Sequence, residues 1–239
     1  SLCCWSMVWA IQDPKRDFPT PGTPVKSIPV GAAIFGLIAN IRPIKRMQDA
    51  ISALSRLDFG LYNPHLVIIG AGGLGLMALE LLKAMQAKGA IVVDIDDSKL
   101  EAARAAGALS VINSRSEDAA QQLIQATDGG ARLILDLVGS NPTLSLALAS
   151  AARGGHIVIC GLMGGEIKLS IPVIPMRPLT IQGSYVGTVE ELRELVELVK
   201  ETHMSAIPVK KLPISQINSA FGDLKDGNVI GRIVLMHEN

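Results

Sequence analysis

The sequence predicts an α/β protein built on a doubly wound parallel sheet with helices on both faces. Three observations lead there. From about residue 62 onward, short uninterrupted apolar runs such as Leu66-Val67-Ile68-Ile69 alternate with segments of helical periodicity, and a strand buried on both faces reads as a continuous apolar run. Hydrophobic residues make up 49% of the 239 residues and aromatics only 3%, so the core is aliphatic, as in covered parallel sheets. A glycine-rich turn, Gly70 to Gly75, joins the first such run to the first helical segment.

Taken in order, residues 1–60 differ from the rest and are expected to be an irregular segment rather than a complete domain. Pro14, Pro19, Pro21, Pro24 and Pro29 punctuate them, and Asp17 to Gly22 reads as loop. Gln48 to Leu57 is expected to form one short helix, with Ala50, Ile51, Leu54 and Leu57 on one face. The apolar run Ala32 to Ile41 is about half a membrane span, and no basic region precedes it, so neither a membrane anchor nor a signal peptide is expected. The chain starts at Ser1. That start and the abrupt change near residue 60 are what a fragment, from truncation or a frameshift, would give.

Residues 61–239 are expected to form one domain with a C-terminal extension. The first strand is Leu66 to Ile69. Leu74, Met77, Ala78, Leu81, Leu82 and Met85 then repeat at helical spacing up to Gly89, which is expected to end that helix. Ile91 to Asp94 is the second strand. Ser98 with Glu101 reads as a capping box opening a helix to about Ala106. Val111 to Asn113 is the third strand, followed by a helix from about Glu117 to Thr127, stopped at Asp128-Gly129-Gly130. Leu133 to Leu137 is the fourth strand. Asn141-Pro142 is expected to cap the next helix and Gly154-Gly155 to end it, before a fifth strand at His156 to Cys160. A strand near Leu179 to Gly183 follows. Thr188 and Glu191 are expected to open a helix burying Val189, Leu192, Val196 and Val199. Ser215 to Lys225 reads as a helix stopped by Gly227, and Ile230 to Met236 as the last strand.

Net charge is zero, from 22 basic and 22 acidic residues, and no like-charged block occurs, so a nucleic-acid partner is not expected. The cysteines are Cys3, Cys4 and Cys160, an odd number in no disulfide or zinc spacing, which points to a reducing cytoplasm. Cys160 in its apolar strand reads as a buried inert thiol.

The chemistry resides in Gly70-Ala71-Gly72-Gly73-Leu74-Gly75. A lone G-x-G-x-x-G is weak, but here a strand precedes it and a helix follows. Gly70 permits the tight turn, Gly72 lets a pyrophosphate approach the backbone, and Gly75 lets the helix pack on the strand. Unpaired amides of the helix N-terminus, from Gly73 and Leu74 on, then face the phosphates. Asp94 ends the second strand 19 residues after Gly75, where a carboxylate accepts the adenosine ribose hydroxyls and repels a 2′-phosphate. Asp96 and Asp97 add to that repulsion, so NAD is favoured over NADP, and Lys99 is placed to reach the ribose. The pattern is that of a Rossmann domain. The motif alone leaves two alternatives: a non-catalytic NAD-binding or assembly module, and an S-adenosylmethionine-binding protein.

Beyond the loop, six stretches carry a resemblance. They are Val67 to Ala78, Val93 to Asp96, Leu135 to Gly139, Gly154 to Val158, Gly183 to Gly187 and Gly231 to Leu235. In order and spacing they resemble the cofactor-domain half of zinc-type alcohol dehydrogenases, in the medium-chain dehydrogenase/reductase family. The resemblance implies hydride transfer between an alcohol and NAD, with a small-molecule alcohol or aldehyde as substrate. It further implies that Val138 and Gly139 lie beside the cofactor, Gly161 and Leu162 near the nicotinamide, Ser184 and Tyr185 at the carboxamide, and Arg232 at the pyrophosphate. It implies a possible homodimer through the sheet edge near Leu179 to Gly183. The family's zinc belongs to an N-terminal domain that these residues do not match, and no zinc ligand set is found: His65, His156, His203 and His237 are scattered. No catalytic residue is therefore assigned, and this chain alone is expected to bind NAD weakly and to turn over no alcohol.

Overall fold

A computed structural model describes residues 10–11, 66–184 and 189–237 of the chain. The expected helix at Gln48 to Leu57 and the capping residue Thr188 lie outside them. In chain order the strands are β1 (Ala10–Ile11), β2 (Leu66–Ile69), β3 (Ala90–Asp94), β4 (Ser110–Asn113), β5 (Ala131–Asp136), β6 (Ala151–Ile159), β7 (Thr180–Gly183), β8 (Val209–Pro213) and β9 (Arg232–Met236). The helices are α1 (Gly73–Ala84), α2 (Asp97–Ala105), α3 (Ala119–Ala126), α4 (Asn141–Ser150), the single turn α5 (Val173–Met176), α6 (Val189–Thr202) and α7 (Ile217–Lys225).

Six strands form one parallel sheet in the order β4-β3-β2-β5-β6-β7. The chain winds outward from β2 to β4, returns to β5 beside β2, and winds the other way. That reversal between β2 and β5 opens a crevice at the carboxyl ends of the strands, where α/β sheets bind ligands. Alternation along each strand feeds two cores. Leu66, Ile68, Val92, Leu133, Leu135 and Val158 pack on one face against Leu76, Leu79 and Leu82 of α1 and Leu195 of α6. Val67, Ile69, Ile91, Val93, Ile134 and Ile157 pack on the other against Leu123 of α3 and Ala147 of α4. Each fully buried Ile or Leu here contributes about 1.5–3 kcal/mol of transfer free energy.

Several expected boundaries move, each for a physical reason. The cap of α2 is Asp96, not Ser98: extended at φ −111° and ψ 117°, its carboxylate accepts the amides of Ser98 and Lys99 at 2.8 and 3.3 Å. A carboxylate is a stronger acceptor than a hydroxyl at a helix N-terminus. Ser140, not Asn141, caps α4: its hydroxyl accepts the Thr143 amide at 3.5 Å, and its own amide donates to the Thr143 hydroxyl at 2.9 Å. Gly154-Gly155 does not end α4. Both glycines lie inside β6, where Gly154 takes φ +72° and a Cβ on Gly155 would stand 2.8 Å from the Ala152 carbonyl. The helix stops at Ser150 because Ala151 turns extended, at φ −65° and ψ 141°, into β6, and the Arg177 guanidinium donates to the carbonyls of Leu148, at 2.7 Å, and Ala151. Gly89 does not end α1 either. The helix closes at Met85, Gln86 takes the left-handed conformation at φ 56°, and the Ala87 amide donates to the Leu82 carbonyl at 2.8 Å. Val189 is exposed on α6, and Leu195 fills the inward position instead.

The sequence reading also missed β8. It pairs parallel with β9 across α7, and β1 pairs with the far side of β9 through Ala10–Leu235 and Ile11–Met236. Lys210 and Lys211 hid β8 by breaking its apolar run.

Candidate functional site

The turn from β2 into α1 sits at the reversal point. Gly70 takes φ +107°, a conformation that favours glycine, and a Cβ there would lie 2.9 Å from Val138 Cγ2. A Cβ on Gly75 would strike the Gly70 carbonyl oxygen, so the contact between helix and strand requires glycine at that position. Gly72 differs: a Cβ built on it meets nothing within 4 Å. The protein itself leaves that space open, directly in front of the first turn of α1. Gly73 starts the helix, and Leu74 follows half-buried in its first turn.

Two charged groups from distant parts of the chain close on this turn. The Arg232 guanidinium lies against Gly73, where a Cβ would strike its Nη1. Burial lowers its pKa from the ordinary arginine value, and among the described residues no carboxylate pairs with it. A buried cation without a partner is costly unless an anion joins it. On the other side, Asp94 Oδ2 accepts the Ala71 amide at 2.7 Å, while its Oδ1 accepts the amides of Ile95 and Asp96 at 2.8 and 3.0 Å. Asp94 therefore latches the glycine turn to the end of β3. Lys99, in the first turn of α2, directs its Nζ toward Gly227, 3.7 Å from where a Cβ would be.

Across the crevice, the chain after β5 lies along the chain after β6. The Met163 amide donates to the Val138 carbonyl at 3.1 Å and the Gly164 amide to the Gly139 carbonyl at 2.9 Å. Gly139 and Gly161 are in backbone contact, with no room for a Cβ on either. Leu162 and Met163 are 68% and 63% exposed, so the crest of this lip is apolar and open. Ser184 follows β7, its hydroxyl buried with no hydrogen-bond partner among the described residues. Tyr185 lies outside the described residues.

Of the residues anticipated from sequence, Gly70 to Gly75, Asp94, Val138 and Arg232 meet around one turn, and Gly139, Gly161 and Leu162 form the facing lip. Asp136 was missed. It is fully buried, yet its Oδ1 accepts the amides of Val138 and Gly139 at 3.0 and 2.9 Å, and its Oδ2 accepts the Thr143 hydroxyl at 2.9 Å. The available signal was an acidic residue inside the apolar run Leu133 to Leu137. Cys160 lies half-buried beside it, where the sequence suggested a buried thiol. Burial first, and the Asp136 charge second, push its thiol up to about 12. Among the described residues no group of three or more His, Cys, Asp or Glu side chains converges where a metal ion would need them. None of the described helices is long and apolar enough to cross a membrane.

Comparison with known proteins places this geometry. A family model described as "Zinc-binding dehydrogenase" matches residues 73–201. An NAD-dependent alcohol dehydrogenase of Sulfurisphaera tokodaii is 35% identical over 173 residues, 72% of this chain and 50% of that protein. An alcohol dehydrogenase of Geobacillus stearothermophilus is 35% identical over 168 residues, 70% of this chain and 49% of that protein. Among solved structures, the alcohol dehydrogenase of Aeropyrum pernix superposes with a TM-score of 0.73 at 30% identity, covering 85% of this chain and 57% of that one. The chain thus spans about half the length of the curated relatives it matches.

Proposed function

The chain belongs to the zinc-binding dehydrogenase family, and from that premise we propose that residues 61–239 are the NAD-holding half of an alcohol dehydrogenase-like oxidoreductase. The observation that carries this reading is the Arg232 guanidinium, half-buried and unpaired among the described residues, against the N-terminus of α1, next to the open space at Gly72. A diphosphate supplies both the anion and the volume that this arrangement calls for.

In this reading, the amides of Gly73 and Leu74 donate to the pyrophosphate, Arg232 neutralises it, and Gly72 lets it approach the backbone. Asp94 accepts the adenosine ribose hydroxyls. Together with Asp96 and Asp97 it disfavours a 2′-phosphate, so NAD is the cofactor rather than NADP. Lys99 flanks the same ribose. Val138 and Gly139 border the cofactor past the pyrophosphate, Gly161 and Leu162 face the nicotinamide, and Ser184 and Tyr185 border its carboxamide; the Ser184 hydroxyl, buried and without a partner among the described residues, suits a polar amide. Bound NAD supplies a hydride acceptor, and the chain's part is to orient it and shield it from water.

The whole protein's reaction is hydride transfer between a small alcohol or aldehyde and NAD, in a reducing compartment where the three cysteines of this chain need no disulfide. The described residues do not fit the family's zinc, and no step is assigned to that ion. The test is a fluorescence titration of the purified chain with NADH. Gly72→Val, whose side chain enters open space, should leave the melting temperature nearly unchanged and raise Kd more than about tenfold, a loss of about 1.4 kcal/mol. Arg232→Met should weaken NADH similarly without lowering stability, since replacing an unpaired, partly buried charge by an apolar group of similar size removes a desolvation cost. Unchanged NADH affinity in both variants, or S-adenosylmethionine binding in place of NADH, would sink the proposal.

A further inference from the structure

We infer that Asp136 is a positioning residue that sets the nicotinamide end of the cofactor site by holding both lip loops from the centre of the sheet. The inference rests on the NAD reading above. Asp136 ends β5, next to the reversal point, and is wholly shielded from solvent. Its side chain controls one loop. Oδ1 takes the amides of Val138 and Gly139, and Oδ2 takes the Thr143 hydroxyl, whose oxygen in turn accepts the Ser140 amide at 2.9 Å. Its main chain controls the other: the Asp136 carbonyl accepts the amides of Cys160 and Gly161 at 2.8 and 3.1 Å. The two loops are then joined beyond it by the Met163 to Val138 and Gly164 to Gly139 bonds and by the bridge between Ser140 and Gly164.

The arrangement has a directional consequence. The pyrophosphate turn is tied to β3 by Asp94 and by the Gly70 amide on the Val93 carbonyl, with Arg232 against Gly73, and it meets the chain after β5 through the backbone of Leu137 and the packing of Gly70 on Val138, neither of which uses the Asp136 carboxylate. Removing the Asp136 carboxylate therefore releases the 138–140 loop, and with it 163–164, while leaving the adenosine half in place. A burial-only role for Asp136 predicts uniform damage instead. Buried amides that lose a charged acceptor relax toward other partners, and loops placed even slightly wrong lose orientation at the reacting end.

The experiment compares NADH with ADP-ribose, the same ligand without nicotinamide, on the 239-residue chain. For Asp136→Ala, Kd for NADH should rise about tenfold and Kd for ADP-ribose less than about twofold, as expected when charged hydrogen bonds are lost at one end only. Asp136→Asn keeps an oxygen acceptor for the two amides and should recover most of the loss. Thr143→Val should weaken NADH alone, by about threefold, and it carries the same comparison if Asp136→Ala fails to fold. Equal weakening of both ligands, or no weakening of NADH, overturns the positioning role. Wild-type chain that binds neither ligand overturns the NAD reading instead. Amide exchange of the unliganded chain then decides the positioning. Faster exchange at Val138, Gly139, Met163 and Gly164 with β2 and β3 unchanged upholds it, and unchanged exchange at those four amides overturns it.

Discussion

Gly72 and Gly75 occupy the same motif for opposite reasons. At Gly75 the constraint is internal, because the Gly70 carbonyl fills the place of a Cβ. An alanine inside a helix ordinarily gains up to about 1 kcal/mol over glycine. Here overpacking reverses the sign, and Gly75→Ala should cost about 1–3 kcal/mol by urea titration even without cofactor. At Gly72 no protein atom imposes a constraint, so in the proposed role only ligand affinity should register the change. Cys160 makes a second prediction at this scale. Its folded-state pKa of about 12 stands above the ordinary 9.0, so the folded state keeps its proton longer than the unfolded one. Its contribution to stability is fully present below pH 9 and declines as pH rises toward 12. With Cys3 and Cys4 replaced by serine, iodoacetamide at pH 8 should leave the native chain unlabelled by mass spectrometry and label it once denaturant is added.

The elements were legible where local chemistry decides them and obscure where a distant residue does. The strands β2, β3 and β5 are apolar runs, and their cores required nothing beyond the order of Leu, Ile and Val. The caps were misread because each pits neighbouring acceptors against one another: Asp96 prevails over Ser98 by charge, and Ser140 over Asn141 because Asn141 turns its amide to the Glu166 carbonyl. The end of α4 was not legible at all, since it depends on Arg177, 27 residues beyond Ser150. Arg177→Met should therefore free the Leu148 and Ala151 carbonyls and lower stability by about 1–3 kcal/mol, read as a lower urea midpoint with an unchanged slope. An unchanged midpoint would show that water replaces the guanidinium at no cost. In the site, the glycine turn and Asp94 were legible by spacing. Asp136 was not, because one carboxylate in an apolar run does not reveal which amides it meets.

At the scale of the molecule, two sheets divide the work. The six-stranded sheet carries the crevice, and the smaller sheet delivers Arg232 to it from the start of β9. The outer edge of the larger sheet is β7, which has no strand partner on its far side among the described residues. Ile181 on β7 is 38% exposed and Met176 just before it 70%, and an uncovered apolar edge invites pairing. We propose that two copies join there. Ile181→Lys should convert a dimer to a monomer by light scattering while leaving NADH affinity within about twofold, because Ile181 is none of the residues assigned to the cofactor site. A wild-type chain that is monomeric at all concentrations would remove this edge from consideration.

The meeting of Gly73 with Arg232 has a consequence for biosynthesis. The glycine turn leaves the ribosome well before the arginine, which stands 159 residues further along the chain. Domains emerge and fold from the N-terminal side during translation. A nascent chain that has completed the six-stranded sheet still lacks the cation against α1, which arrives only when β9 has been made. Under the proposed NAD-holding role, a chain cut just before Arg232 should keep the six-stranded sheet yet lose most of its NADH affinity, measured by fluorescence titration.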